Sequence, residues 1–282
     1  MEQIYSNPAS RPASAGNFFQ QVGSLLRILL IEQRVPGKCY QCYYNLLKAL
    51  GFKTTTIRVG GGVTLKGYTE CLSIAQEVWS KRVYDHADFP FRHGMVVVDI
   101  GANQGFFSLY AASKGATVYA FEPSSENFGL LTHNVAANPC GRRVKAFQAA
   151  VAGTKGTVTL FVGLDPRGEI LSASASIMNA NRGGAGVKSE SVEATTLDNV
   201  LRDNRIDHCD FLKMDCEGAE YEILKNTSAD TFSRIRRISM ETHAGRGREA
   251  VDNLELQGFE ILEFDDSQAG FIKARRIGPS AP

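Results

Sequence analysis

The sequence predicts an α/β fold built on an open, mostly parallel β-sheet, and three observations support this. Short apolar runs rich in β-branched residues, Met95–Val98 and Thr117–Phe121, are typical of buried parallel strands. A segment with helical character, Phe106–Lys114, separates them and completes a βαβ unit. Near the end of the chain, 259–264 and 270–274 indicate a hairpin that adds an antiparallel strand to the sheet.

The other elements can be placed in chain order. Residues 53–66 alternate around a triple glycine and predict a hairpin, and residues 72–84 predict a helix. Residues 156–194 break the alternation of strands and helices and predict an inserted β-hairpin. Its tip, residues 163–188, is either a substrate-ordering loop or plain disorder. The remaining predicted core elements are helices at 124–137, 196–201 and 221–226, and strands at 144–150, 211–215 and 235–240.

Length and composition indicate one α/β domain with an N-terminal addition, since the chain has 282 residues and is 43% hydrophobic. Residues 1–16, rich in Pro, Ser and Ala, predict a flexible N-terminus. Residues 17–93 predict a helical and hairpin extension, and residues 94–278 the core domain. Two helices within 17–50 either pack on the core, cover a substrate cleft or form a homodimer interface.

Charge and hydropathy exclude several classes of partner. A net charge of +1 provides no attraction to nucleic acid. No apolar segment is long enough to cross a membrane and nothing resembles a signal peptide, so we expect a cytoplasmic protein that binds neither membrane nor nucleic acid. Cys39 and Cys42 form a C-x-x-C pair without a second pair at zinc spacing, which favours free thiols over a metal or redox site.

The loop after the first core strand predicts the chemistry of a ligand. It has the form D-x-G-x-x-x-G from Asp99 through Gly101 to Gly105, not the G-x-G-x-x-G of dinucleotide-binding folds. Its glycines permit a sharp turn close to a ligand. A carboxylate here would repel a pyrophosphate but suits a ligand with a positive charge and an amino group, such as S-adenosylmethionine. The alternative is a βαβ unit whose glycines only aid packing.

A donor site of this kind would draw on several strand ends. Glu122, at the end of the next strand, is placed to accept hydrogen bonds from two ribose hydroxyls. The expected donor-binding residues are Asp99, Gly101, Asn103 and Gly105 for the methionine half, Glu122 for the ribose, Gln148 and Ala149 for the adenine, and Asp215 for the amino acid end.

Four segments together resemble the FkbM family of methyltransferases, over about residues 70–245. They are 98–105 with Ser108, 121–123 with Asn134, 211–220 (FLKMDCEGAE) and 241–243 (ETH), and the Thr-Leu-Asp of 196–198 also fits. The resemblance implies a Rossmann-like class I methyltransferase fold, with a seven-stranded, mostly parallel sheet and an antiparallel C-terminal hairpin strand. It further implies transfer of a methyl group from S-adenosylmethionine to oxygen, or in some members nitrogen, on natural products and sugars.

Two neighbouring strand ends supply the candidate catalytic residues. Asp215 and Glu217 follow one strand, and Glu241 and His243 the next; residues two apart along a strand point the same way. We expect His243 to be the general base, since an unperturbed imidazole titrates near neutral pH. Glu241 would orient it or bind substrate, Asp215 would contact donor or acceptor, and Glu217 would bind substrate. Mg²⁺ on these groups is an alternative that we do not favour.

Two further residues of the same segment have structural interpretations. Lys213 is predicted to pair with one of the acids, and Glu220 to begin a helix, where a carboxylate is favoured. The leading functional prediction is O-methylation of a small-molecule acceptor. The alternatives are N-methylation of an amino sugar and a non-catalytic nucleoside-binding relative.

Overall fold

A computed structural model of the chain describes Leu47 and residues 50–86, 90–164, 175–177, 186–243 and 245–278. The predicted flexible N-terminus, the predicted helices of residues 17–50 except Leu47 and Leu50, and the Cys39–Cys42 pair lie outside the described residues. Most of the predicted loop at 163–188 also lies outside them. Within the described part, no helix is long and apolar enough to cross a membrane.

The strands of the described chain form three sheets. The strands are β1 (Thr54–Arg58), β2 (Thr64–Tyr68), β3 (Val96–Ile100), β4 (Thr117–Phe121), β5 (Val144–Phe147), β6 (Ala150–Val151), β7 (Gly156–Leu164), β8 (Gly186–Thr195), β9 (Phe211–Met214), β10 (Arg237–His243), β11 (Phe259–Asp265) and β12 (Ala269–Arg276). The main sheet has seven strands in the order β11-β12-β10-β9-β3-β4-β5, beside a β1-β2 hairpin and a β6-β8-β7 sheet.

The helices flank the main sheet and connect its strands. They are α1 (Leu72–Gln76), which continues into a π-helical turn (Glu77–Lys81), α2 (Phe106–Ser113), α3 (Ser125–Ala136), α4 (Leu197–Asp203), α5 (Glu220–Asn226), α6 (Ala229–Ser233) and α7 (Gly247–Leu256), with short 3₁₀ turns at Gly60–Gly62, Thr69–Cys71 and Pro139–Arg143. Helices α3, α4 and α6 begin at Ser or Thr side chains that accept a backbone N–H of the first turn.

The seven-stranded sheet confirms the predicted fold. Strands β3, β4, β5, β9 and β10 pair in parallel, whereas β12 runs antiparallel to both β10 and β11. The chain leaves β3 toward β4 and β5 and later returns to β9 on the other side of β3. Strand order therefore reverses between β3 and β9, which is where open α/β sheets bind ligands.

Several predicted bounds differ from the structure. Strand β5 ends at Phe147 instead of residue 150, and β10 extends through His243, so Glu241 and His243 lie within a strand. Helices α6 and α7 were not predicted. The insertion does form the predicted hairpin, β7 with β8, but β6 joins it as a third strand parallel to β8.

Both faces of the central strand β3 are buried, as its β-branched sequence requires. Val98 and Ile100 belong to one apolar core with Leu212 and Met214 of β9, and Val97 belongs to the core on the opposite face. All five side chains are essentially inaccessible to solvent. The strand is thus fixed from both sides, and the positions of the residues that follow it are fixed with it.

The β1-β2 hairpin is joined to helix α3 by buried asparagines. The Asn134 side chain accepts the Lys66 N–H at 2.7 Å and donates to the carbonyls of Lys66 and Gln104, both at 2.8 Å. Asn138 makes the same paired contact with the backbone of Thr64. One side chain thus connects the hairpin both to α3 and to the loop after β3.

We predict that Asn134→Ala destabilises the protein by about 2 kcal/mol or more, because it leaves one buried donor and two buried acceptors without their partner. Denaturant unfolding would measure the change. Thr132→Ala is the matched control, since Thr132 lies on the exposed side of the same helix. Equal midpoints for both variants would contradict the structural role of Asn134.

Candidate active site

A deep cleft opens at the carboxyl ends of β3, β4, β9 and β10. It encloses about 1040 Å³ of empty space, its open mouth included. One half is mostly apolar and includes Phe121, Val151 and Leu160. The other half is polar and is lined by Tyr84, Asp215, Glu217 and Glu241, and a further acid, Glu77, also lines the cleft. Concave clefts that combine apolar walls with a few convergent polar groups are typical of small-molecule sites.

The loop after β3 is held close to the loop after β9. Gly101 has φ of 72°, and a Cβ there would meet the Asp215 carbonyl oxygen at 1.8 Å. The N–H groups of Gly101 and Ala102 both donate to the Phe121 carbonyl, at 3.0 and 2.9 Å. Only glycine permits this close approach, so the loop brings three strand ends together.

Lys213 is buried directly behind this loop and holds it in place. Its Nζ donates to the Gly101 carbonyl at 2.7 Å and lies 3.4 Å from Asp99 Oδ1 and 3.6 Å from Asp215 Oδ2. Burial lowers the pKa of Lys213, but the charges of Asp99 and Asp215 outweigh burial and raise it. The ammonium therefore stays charged, and the prediction that Lys213 pairs with a neighbouring acid is confirmed.

Glu122 presents a buried carboxylate at the junction between the two halves of the cleft. Its Oε2 accepts the Asn103 N–H at 2.8 Å and its Oε1 accepts the Ser124 N–H at 2.9 Å. Burial raises the pKa of Glu122 to about 7 in spite of these two bonds. The Asn127 side chain is a further hydrogen-bond partner of Glu122. Because a carboxylate has about four acceptor positions, Glu122 retains capacity for a ligand hydroxyl.

Tyr84 brings together the two carboxylates at the polar end of the cleft. Its hydroxyl lies 3.3 Å from Glu241 Oε1 and 3.5 Å from Asp215 Oδ2, and its ring packs against Phe107 and Phe271. Burial raises the pKa of Tyr84 well above 10, so the hydroxyl remains a donor. Burial and the charge of Asp215 together raise the pKa of Glu241 to about 7.

His243 is held between two glutamates. Its Nδ1 lies 3.1 Å from Glu220 Oε1 and its Nε2 lies 3.4 Å from Glu217 Oε2. Burial lowers the pKa of His243, but the hydrogen bond and charge of Glu220 and the charge of Glu217 raise it to about 9. The expectation that its pKa suits a base near neutral pH is therefore wrong. Both nitrogens of the imidazolium face carboxylates.

Glu220 organises the loop between β9 and α5. It is fully buried and accepts the N–H groups of Cys216 and Gly218, both at 2.8 Å, besides contacting His243. The helix begins at Glu220, as predicted. Glu217 lies in the same loop with φ of 58°, and its carbonyl accepts the Ser176 hydroxyl at 2.8 Å. The short described segment 175–177 of the insertion thereby joins the cleft, where Ala175 and Ile177 contribute to the wall.

The structure brings most of the predicted site residues to one cleft. Gly101, Asn103, Glu122, Asp215, Glu217 and Glu241 all line it. Five predicted residues do not line it, and one of these is His243, described above. Asp99 is fully buried behind the loop, bonded to Ser108 at 2.5 Å and paired with Lys213, and Gly105 packs against Leu131. Because β5 ends early, Ala150 and Val151 line the cleft where Gln148 and Ala149 were expected.

Sequence reasoning missed the cleft wall contributed by the N-terminal extension. Ile74, Glu77 and Val78 from the α1 segment line the cleft together with Tyr84. Tyr84 follows Arg82, whose left-handed conformation ends the π-helical turn. No motif marks these positions. The helical spacing of Ile74 and Val78 indicated a buried face, but nothing in the sequence indicated what that face covers.

The residues present fit a nucleoside donor better than a metal ion. An apolar half, a buried carboxylate with spare acceptor capacity and an acidic polar half match adenine, ribose and a cationic sulfonium in turn. Asp215, Glu241 and His243 offer ligand atoms within 4.8 Å of one another. However, Mg²⁺ prefers oxygen ligands, and both His243 nitrogens already face carboxylates, Glu220 and Glu217. We therefore assign no metal to this cluster.

Comparison with known proteins shows related methyltransferases. The family model for the methyltransferase FkbM domain matches residues 99–272. Methyltransferase sdnD from Sordaria araneosa is 31% identical over 237 residues, 73% of this chain and 90% of that protein. The 31-O-demethyl-FK506 methyltransferase FkbM from Streptomyces tacrolimicus is 28% identical over 239 residues, 75% of this chain and 91% of that protein. Among solved structures, human methyltransferase 10 domain containing protein matches with a TM-score of 0.45 and 16% identity, over 87% of this chain and 99% of that chain.

We predict that the His243 imidazole titrates near pH 9, which NMR of ring-labelled histidine would measure, with His243→Gln identifying the signal. Since the folded pKa lies above the unfolded value, the stability this charge contributes is complete below about pH 6.5 and lost as pH rises through about 9. The difference in unfolding free energy between wild type and His243→Gln should therefore shrink from pH 6 to pH 9.5. A midpoint at or below 6.5 would contradict the assignment.

Proposed function

This chain belongs to the FkbM methyltransferase family, and from this premise we propose that it transfers a methyl group from S-adenosylmethionine to a hydroxyl of a small molecule. The observation that carries the proposal is that Glu122 and the pair Asp215–Glu241 line one cleft at the switch in strand order. We favour oxygen over nitrogen as the acceptor atom because the Glu241 carboxylate, at the polar end of the cleft, has a pKa suited to accepting a hydroxyl proton. The name of the Streptomyces relative, a 31-O-demethyl-FK506 methyltransferase, supports oxygen as the acceptor atom.

The donor would be held by residues on both sides of the Gly101 loop. Glu122 would accept the ribose hydroxyls, and the apolar half, with Phe121 and Val151, would cover the adenine. Asn103 and the Gly101 backbone would hold the methionine end. The sulfonium supplies an activated methyl group, so the chain's own task is to orient the acceptor and to exclude water.

Glu241 is the residue that we assign to accept the acceptor's proton. A general base needs a pKa near the working pH and reach to the hydroxyl. Glu241 has a pKa of about 7 and lies on the cleft wall, where an acceptor hydroxyl would bind within its reach. Asp215 and Tyr84 position it, and the Glu217–His243–Glu220 cluster supports the loop beside it. This replaces the sequence-based hypothesis that His243 is the base.

We predict that the protein binds S-adenosylhomocysteine with micromolar affinity and does not bind NAD, measured by calorimetric titration. Glu122→Gln should weaken binding about tenfold or more, because an amide accepts ribose hydroxyls less strongly than a carboxylate does. Glu255→Gln, an exposed substitution on α7, is the control and should bind as wild type does. Tight NAD binding, or an unchanged Glu122→Gln variant, would argue against the donor site.

We also predict that turnover rises with pH through about 7, because only the ionised form of Glu241 accepts a proton. In single-turnover assays, Glu241→Gln should lower the rate about 100-fold or more and abolish that pH dependence, with donor affinity little changed. Tyr84→Phe should shift the midpoint of the profile while keeping part of the rate.

An unchanged rate in Glu241→Gln would contradict a base role. It would favour the N-methylation alternative, in which an amine arriving neutral needs no base. Glu255→Gln is again the control for a lost carboxylate elsewhere on the molecule.

A further inference from the structure

Resting on the proposed function, we infer that the polar half of the cleft selects acceptors by charge. It accepts neutral or cationic molecules and rejects those that carry a carboxylate or a phosphate near the reacting hydroxyl. We further assign Glu77, contributed by the N-terminal extension, as a specificity-determining residue of this half.

The charged groups among the described residues that line the cleft are all acids. Glu77, Asp215, Glu217 and Glu241 line the cleft, and among the described residues that line it none is lysine, arginine or histidine. Among the described lining residues, an anionic acceptor would therefore meet several carboxylates and no opposite charge. Because such a cleft is partly desolvated, like charges repel more strongly there than in water.

The nearby cations are each paired with an acid: Lys213 with Asp215, His243 with Glu217 and Lys81 with Glu77. Lys213 is 3% exposed and bonds to the Gly101 carbonyl behind the loop. His243 lies between Glu217 and Glu220, so its charge is already used within that cluster. Neither group lines the cleft, so neither offers a contact to an incoming carboxylate or phosphate.

The bound donor would leave an acidic surplus on the acceptor side. Its sulfonium and ammonium are cations and its carboxylate an anion, so it carries a single net positive charge. That charge offsets only part of the acidity of the lining residues. The remaining negative charge has little effect on a neutral hydroxyl compound. It attracts an ammonium compound and repels an anionic one.

Glu77 differs from the other acids because it can be changed without disturbing the strand ends. It lies on the π-helical turn after α1, and its side chain is 41% exposed, 3.8 Å from Lys81. Asp215, Glu217 and Glu241 each contact Lys213, His243 or Tyr84, so substitutions there would also alter the loop. A substitution at Glu77 should therefore change the charge of the cleft without changing the positions of the strand-end loops.

The probes for this inference are three adenosyl analogues in which a tertiary amine replaces the sulfonium and bears a three-carbon tail into the acceptor half. The tail ends in an ammonium, a hydroxyl or a carboxylate. Calorimetric titration in buffer with EDTA gives each dissociation constant, alongside S-adenosylhomocysteine. We expect the carboxylate tail to bind about tenfold or more weakly than the hydroxyl tail, and the ammonium tail at least as tightly as the hydroxyl.

Glu77→Lys should reduce the gap between hydroxyl and carboxylate tails at least threefold, whereas Glu255→Lys, the same charge change on exposed α7, should not. A carboxylate tail that binds wild type as tightly as the hydroxyl tail would overturn the charge selection. A gap unchanged in Glu77→Lys would overturn the assignment of Glu77. Failure of S-adenosylhomocysteine itself to bind would instead refute the donor site and, with it, the proposed function.

Discussion

The cleft depends on one buried interaction, the ammonium of Lys213 between Asp99 of β3 and Asp215 after β9. These two strands meet at the switch in strand order, and the lysine joins their ends through two carboxylates and the Gly101 carbonyl. Removing one partner of a buried ion pair typically costs roughly 3–5 kcal/mol, since the other charge stays buried and unpaired. The network therefore fixes the loop that shapes both halves of the cleft.

The acids of the strand ends divide into two groups with different tasks. Asp99 and Glu220 are fully buried and bond to lysine, serine, histidine or backbone groups, so they build the site. Glu122, Asp215 and Glu241 line the cleft and are available to ligands. Burial raises the pKa of Glu122 to about 7, and burial together with the charge of Asp215 raises the pKa of Glu241 to about 7, a range useful for moving a proton.

Local pattern predicted the framework, whereas the roles of individual residues required tertiary contacts. The β-branched runs and the hairpin at the end of the chain predicted the seven-stranded sheet, because parallel strands buried on both faces have a distinctive composition. Helix α7 was missed although Ala250, Val251 and Leu254 carry a helical spacing and are buried. The charge state of His243 depends on Glu220, which comes from another element, so residue spacing could not predict it. Tyr84 comes from a segment without a motif, so its place in the cleft could not be predicted either.

The most direct test of this account is a crystal structure of the protein with S-adenosylhomocysteine. We expect ribose hydroxyls within hydrogen-bond distance of Glu122, adenine in the apolar half, and the sulfur directed toward Glu241 and Tyr84. A nucleoside bound in the opposite direction, or outside this cleft, would contradict it. Either result would show that Glu122 and Glu241 do not bind the donor or accept the proton as proposed.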